Sequence, residues 1–306
     1  MPIFNIHNQK LLPIREKEID LERGIQKLTE ENLEAVFSLQ FVSTEFALQN
    51  FRIDTLSFDK KTNTFVIIEY KRDRSFSVID QGFAYLALML NNKADFILEY
   101  NEKTKGNLRR EDVDWSQSRV LFLAQSFTTY QQNAINFRDL PIELWEVRVF
   151  DNATVLYNQL LSLEAKESIK TITKNKIIES VSREVKVYTL EDHIEKGSEE
   201  SKKLFSLLRD KILGLGEDIK EDPQKYYIAY KTNTNFVDIE IQRQNLKIWL
   251  NVKSGVIQDP RNIADDMTSP PRGHRGNGDY EVKFSDLGDL PYLFGLIEQS
   301  YRISKQ

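Results

Sequence analysis

The stretch that most constrains this chain runs from Phe51 to Tyr85, FRIDTLSFDKKTNTFVIIEYKRDRSFSVIDQGFAY. Two apolar, β-branched runs flank a polar tip at 59–63, which reads as a β-hairpin with a five-residue loop. A helix is expected to follow from about Val78 to Asn91. Side chains alternate along a strand, so Asp54 shares a face with Arg52 and Leu56. In the second strand Glu69 and Lys71 share the face of Phe65 and Ile67. An acid and a base thus lie on the apolar face of a strand that otherwise looks buried, and buried charge is costly unless paired or bound to a metal. On the helix, Gln81 and Tyr85 are four residues apart and project from one face.

One chemistry that would use such a set is phosphodiester hydrolysis, the reaction implied by the family resemblance given below. It needs a divalent ion to offset phosphate charge and to acidify an attacking water. Mg²⁺ takes hard oxygen ligands from one or two carboxylates, a carbonyl and waters. Asp54 and Glu69 supply the carboxylates, and the backbone carbonyl of Tyr70 is a third protein oxygen. Lys71 can orient a water or stabilise developing charge. Gln81 can hold the water, Lys71 or a base, and Tyr85 can contact a phosphate. Arg72 and Arg74 follow directly and are placed to bind the flanking backbone. Read one at a time, these residues make an ordinary salt-bridge cluster at a strand end; the ordered set is what favours a site.

That order, an Asp, a hairpin, E-x-K and then Q-xxx-Y, resembles the PD-(D/E)xK nuclease superfamily in its RecB-like and NucS-like branches. The matching positions are Asp54, Glu69, Lys71, Gln81 and Tyr85, with Ile53 where the family name has Pro. The resemblance covers roughly the first 150 residues. It implies a restriction-endonuclease-like α/β fold, a mixed sheet flanked by helices, and a Mg²⁺ or Mn²⁺ cofactor. It also implies that a Glu from the helix before the hairpin joins the metal shell, and Glu34 in ENLEAVF is the position matched to it.

Upstream, Pro2 to Ile14 suggests one or two short strands with a turn near His7 and Asn8. Ile19 to Phe37 has helical spacing, with Thr29 a cap for a second helix inside it. Gln40 to Gln49 reads as a strand in which Glu45 points either to the site or to solvent. After the hairpin and its helix, Asp95 to Tyr100 is expected as a strand, Arg119 to Ala124 as a buried strand, Thr128 to Phe137 as a helix and Ile142 to Phe150 as a strand. The last three form a βαβ unit, hence a parallel pair. Gln125 and Ser126 end the buried strand, and a helix cap at Ser126 or Thr128 accounts for them.

Three parts are expected: an α/β nuclease-like domain over 1–150, a lysine-rich linker with irregular or helical segments over 151–188, and a smaller α+β domain over 189–306. The last contains an amphipathic helix near 198–213, antiparallel strands near 226–230, 236–242 and 246–252, a long loop, a strand at 280–284 and a terminal helix. From Asn277 to Tyr301, and in the strands before it, it resembles the DUF5655 module found after nuclease-like domains. The segment SPPRGHRGNG, 269–278, holds Arg272, His274 and Arg275 with no acid, so Arg272 and Arg275 are candidate phosphate contacts, against the plainer reading of a solvated loop.

Composition removes several alternatives. There is no Cys, which excludes disulfides, thiolate metal sites and Cys nucleophiles, and the three His are scattered. The net charge of −5 means that any nucleic-acid surface must be a local patch. No run approaches the ~18 apolar residues that span a bilayer, and the first residues lack an apolar signal region. A cytoplasmic protein with no membrane partner is expected, and a homodimer is left open. The expected function is metal-dependent hydrolysis of nucleic acid, DNA first, in repair, restriction or defence. Two rivals stand beside it: a catalytically inactive nucleic-acid-binding protein of the same fold, and an interaction protein whose Asp/Glu/Lys cluster is purely ionic.

Overall fold

The structure, a computed structural model, describes residues 2–17, 21–71, 77–161, 167–169, 175–232, 234–273 and 276–305. The chain divides into two compact units, Met1–Val187 and Tyr188–Gln306.

The first unit begins with a hairpin, β1 (Ile3–His7) and β2 (Lys10–Ile14), followed by helices α1 (Leu21–Glu31) and α2 (Leu33–Phe37). Its main sheet has the order β3 (Gln40–Leu48), β4 (Phe51–Asp59), β5 (Thr64–Lys71), β6 (Arg119–Ala124), β7 (Ile142–Val149) and β8 (Val155–Leu160). The β3–β4, β4–β5 and β7–β8 pairs are antiparallel, and β5–β6 and β6–β7 are parallel. This is the expected mixed sheet flanked by helices. Asp59 opposes Thr64 in register, so the β4–β5 loop has four residues, 60–63, rather than five.

Both faces of the sheet are covered, and this is why β5 and β6 read as continuous apolar runs. One face carries Leu56, Phe58, Phe65, Ile67, Val120 and Phe122 under α3 (Val78–Asn91) and α4 (Lys93–Thr104). The other carries Val66, Ile68, Tyr70, Leu121 and Leu123 against Ile25 and Leu33. Helix α3 starts at Ser77, whose side chain accepts from Asp80 N–H. It buries Phe83, Leu86 and Met89, each worth about 1.5–3 kcal/mol of transfer free energy. Gly82 lets it close on the sheet: a Cβ there would stand 2.5 Å from Ile142 Cδ1.

Four elements differ from expectation. Asp95–Tyr100 lies inside helix α4 and not in a strand. Phe96 and Tyr100 are four residues apart, and both pack in the first core; a short apolar run does not by itself distinguish strand from helix. Thr29 caps nothing. It lies within α1, fully buried, with its hydroxyl 2.9 Å from Tyr157 Oη, and the helix breaks at Asn32 instead. Residues 151–188, expected as a linker, contribute β8 and helix α6 (Lys176–Glu184), and Ile169, Ile178, Val181 and Val185 are buried in the first core. Helix α5 (Thr129–Ala134) is shorter than its expected span and is closed by a capping box between Thr128 and Gln131.

The second unit has helices α7 (Leu190–Ile194), α8 (Glu199–Leu213) and α9 (Leu290–Ser304) on an antiparallel sheet. The sheet order is β13 (Asp265–Asp266), β14 (Tyr280–Phe284), β12 (Leu246–Leu250), β11 (Asn235–Ile241), β10 (Ile228–Lys231) and β9 (Lys220–Pro223). Strand β9 was not expected from the sequence. The helices pack on the face formed by Ile228, Tyr230, Val237, Ile239, Ile248 and Val282. On the opposite face, the fully buried Asp238 accepts from both the backbone and the side chain of Asn277, at 3.0 and 2.9 Å. That carboxylate fastens the segment before β14 to the sheet at Asn277.

Candidate active site

The site forms where β4 and β5 separate. Their pairing ends at Thr55–Ile68. Beyond that point the Asp54 carboxylate takes the place of a strand partner, with Oδ2 accepting from Tyr70 N–H at 2.9 Å. The N–H and C=O of one strand residue point to the same side, so the Tyr70 carbonyl also faces this gap. The β5 register carries on with β6 as far as Lys71–Ala124, so β5 stays rigid while its other edge opens.

Glu69 is the centre of the cluster and is only 4% exposed. Its Oε1 accepts from Lys71 Nζ at 2.8 Å, Tyr85 Oη at 2.9 Å and Gln81 Nε2 at 3.4 Å. Its Oε2 is buried and has no hydrogen-bond partner among the described residues. Burial, and then the neighbouring Asp54 carboxylate, push the Glu69 pKa up from 4.5 to about 7 against the opposing pull of Lys71. Burial likewise raises the pKa of the Tyr85 phenol, with Glu69 adding to the effect. Asp54, Glu69, Lys71, Gln81 and Tyr85 are therefore brought together, the first two electrostatically coupled.

A cavity of about 630 Å³ opens here, lined by Arg23, Gln26, Glu45, Arg52, Asp54, Glu69, Tyr70 and Lys71. Glu34 does not line it; that side chain is exposed on α2, because the break at Asn32 resets the helical phase. Helix α1 sends Arg23 and Gln26 to the site instead, and Gln26 Nε2 donates to the Asp54 backbone oxygen at 3.0 Å and also reaches Thr44 and Glu30. Glu30 accepts from Thr55 Oγ1 at 2.6 Å. Glu45 has a left-handed φ of 52° and points at the cavity, where Arg52 Nε sits 2.6 Å from its carboxylate. Gln26 and Arg23 were missed in the sequence. Their signal is a polar pair three residues apart beside the buried Ile25 and Thr29.

Of the expected phosphate contacts, Arg72, Arg74 and Arg275 lie outside the described residues, as does His274. Arg272 is exposed in the second unit. His193 is buried there, its Nε2 2.6 Å from the Gln224 backbone oxygen, in a structural role.

Among the described residues no three His, Asp or Glu side chains form a metal cage. A Mg²⁺ site of the two-carboxylate, one-carbonyl kind does not require one. The donor set fits such an ion: two coupled carboxylates, a carbonyl on the open strand edge, and a buried carboxylate oxygen with no partner among the described residues.

Fold and site together define a two-unit α/β protein whose mixed sheet presents a buried acid–lysine cluster at an opened strand edge. A protein of Haemophilus influenzae (strain ATCC 51907 / DSM 11121 / KW20 / Rd), described as an uncharacterized protein, is 44% identical over 303 residues, covering 99% of this chain and 100% of its own length. The chain belongs to the family of that protein. Residues 190–304 match the domain of unknown function DUF5655, as expected from the sequence. Partial likeness to solved structures is weaker. The EndoMS–dsDNA2 complex is 17% identical with a TM-score of 0.27, over 44% of this chain and 50% of that one. A repair endonuclease from Pyrococcus abyssi is 17% identical with a TM-score of 0.22, over 39% and 44%. Pyrococcus furiosus SfsA in complex with Ca²⁺ is 11% identical with a TM-score of 0.25, over 50% and 77%. The chain thus spans about half the length of the EndoMS chain it matches.

Proposed function

We propose that the protein is a metal-dependent nuclease of the PD-(D/E)xK type that hydrolyses phosphodiester bonds, with DNA as the first substrate to test and repair, restriction or defence as the setting. The observation that carries this reading is Glu69 Oε2, buried beside Asp54 with no partner among the described residues. Leaving a buried carboxyl oxygen unsatisfied costs ~1–3 kcal/mol, and a cation bound to the ionised form offsets it.

Asp54, Glu69 and the Tyr70 carbonyl would hold Mg²⁺ or Mn²⁺. When bound, the ion supplies charge neutralisation and a more acidic water. Lys71 stands beside Glu69 and can hold a proton or orient water at the scissile phosphate. Gln81 and Tyr85 fix the Glu69 carboxylate from α3, and Gln26 fixes the Asp54 backbone from α1. Arg23 and Arg52 at the cavity edge supply cations for phosphates on either side. Arg72, Arg74 and the Arg272–Arg275 loop remain further candidates for such contacts.

The test is a cleavage assay with Mg²⁺ and with Mn²⁺ on single-stranded, duplex and branched DNA and on RNA, run beside Glu69→Ala. Metal-dependent cleavage by the wild type, lost in the variant, is the expected result. Metal binding with no cleavage of any substrate points to an inactive nucleic-acid-binding protein. No metal affinity and no nucleic-acid affinity leaves the cluster purely ionic.

A further inference from the structure

The β1–β2 hairpin carries the strongest unassigned feature of the molecule. Its register pairs Ile3 with Ile14, Phe4 with Pro13, Asn5 with Leu12, Ile6 with Leu11 and His7 with Lys10. The two turn residues, Asn8 and Gln9, have φ of 47° and 63°, the double left-handed signature of a type I′ turn. The hairpin forms a separate two-stranded sheet. Its base is fastened to the body: Lys17 N–H donates to Val149 O at 2.8 Å and Asp151 N–H to Arg15 O at 2.9 Å. Yet Phe4, Ile6, Leu11 and Leu12 are 44%, 75%, 62% and 50% exposed. A lone two-stranded hairpin is marginal in water, and three or more strands are needed for independent stability.

The two edges differ. A two-residue turn closes on a hydrogen-bonded pair, His7–Lys10, and pair types alternate from there. Phe4–Pro13 and Ile6–Leu11 are then non-hydrogen-bonded pairs, whose backbone groups point outward. On the β2 side the outward position at 13 is proline, which has no N–H, and that edge is blocked. On the β1 side Phe4 and Ile6 both present an N–H and a C=O. Among the described residues β1 pairs with nothing except β2.

We propose that two copies of this chain join through the outer edge of β1, antiparallel about a two-fold axis at Asn5. In this register Phe4 pairs with Ile6 of the second copy and Ile6 with its Phe4, so all four outward-facing residues are used. Shifting the axis to Phe4 or to Ile6 leaves only one self-paired residue matched between the two outward sets. The result is a four-stranded sheet, β2-β1-β1-β2, whose contact is isologous and closes. Strand β1 has no acid, lysine or arginine, so self-pairing sets no like charges opposite each other, while the same edge offers nothing to attract phosphate. Edge pairing sets Phe4, Asn5 and Ile6 of the two copies side by side, while Leu11 and Leu12 lie one strand further out and on opposite faces, so the contact is small and weak by the standard of stable interfaces. A concentration-dependent dimer follows. The inference does not rest on the nuclease reading.

The absence of cysteine from the chain makes the test clean. Opposed Asn5 residues would form a non-hydrogen-bonded pair with Cα atoms ~4.5 Å apart, within disulfide reach. Asn5→Cys is expected to give a covalent, reducible dimer on mild oxidation. Leu12→Cys, three strand spacings or ~14 Å from its counterpart, is expected to stay uncrosslinked. Ile6→Pro, which removes one outward N–H, is expected to lower the mass found by light scattering to that of a monomer at concentrations where the wild type is dimeric. Asn5→Cys that crosslinks no more than Leu12→Cys, or an unchanged dimer in Ile6→Pro, would overturn the proposal. So would a wild type that stays monomeric but binds phosphatidylcholine vesicles, which would assign the hairpin to a lipid surface.

Discussion

Glu69 is held between opposing demands. Burial and Asp54 favour its neutral form, while Lys71, Tyr85 and Gln81 are arranged for the anion. With its folded pKa raised from 4.5 to about 7, the metal-free native state retains a proton that the unfolded chain has already released. The stability contributed by this group is therefore full below about pH 4.5 and is lost as pH rises through about 7. Urea midpoints of the metal-free protein should fall across that window, and Glu69→Gln should flatten the fall. Arg23→Ala should lower oligonucleotide affinity at any sequence and reduce the salt slope by about one, read from titrations at several salt concentrations. The acid, base, glutamine and tyrosine were legible because strand alternation and helical i, i+4 spacing fix their facing. Glu34 was misplaced because a helix break carries no strong sequence mark at Asn32, and every residue beyond the break changes face.

At the scale of elements, α3 is the part that sets the site's geometry. It supplies Gln81 and Tyr85 from one face and packs on β6 and β7 through Gly82 and its neighbours. Gly82→Val should drive a side chain into the buried Ile142 and destabilise the protein by about 1–3 kcal/mol, measured by urea unfolding. Metal affinity should fall with it, because the donors to Glu69 move together. A substitution on the exposed side of α3, such as Asp80→Ala, should change metal affinity little. The β5 hairpin, α3 and the βαβ unit were legible from long, strongly patterned runs. Helix α4 was not, since ADFILEY fits both periods and only packing of Phe96 and Tyr100 decides. Strand β8 was hidden for another reason: VLYNQL lies in a polar stretch and is fixed by pairing with β7.

The whole molecule is two units, and the first extends to Val187. Residues 1–150 alone would leave the β7 edge unpaired and uncover the core sites of Ile169, Ile178, Val181 and Val185. A fragment of 1–150 should therefore aggregate or remain unfolded, and 1–187 should melt cooperatively, compared by circular dichroism. In the second unit, burial raises the pKa of Asp238 to about 6 while the hydrogen bonds from Asn277 pull it down, and those bonds fasten Asn277 to the sheet. Asp238→Ala should raise proteolysis within 251–279. The central claim is that Asp54, Glu69 and the Tyr70 carbonyl form one divalent-cation site. The most direct measurement is Mn²⁺ binding, followed by the electron paramagnetic resonance signal of the free ion, for the wild type, Asp54→Asn and Glu69→Gln. A saturable site in the wild type whose affinity drops at least ~10-fold in each variant, a loss of ~1.4 kcal/mol, is the expected result. Equal binding by all three proteins, or no binding by the wild type, would contradict it.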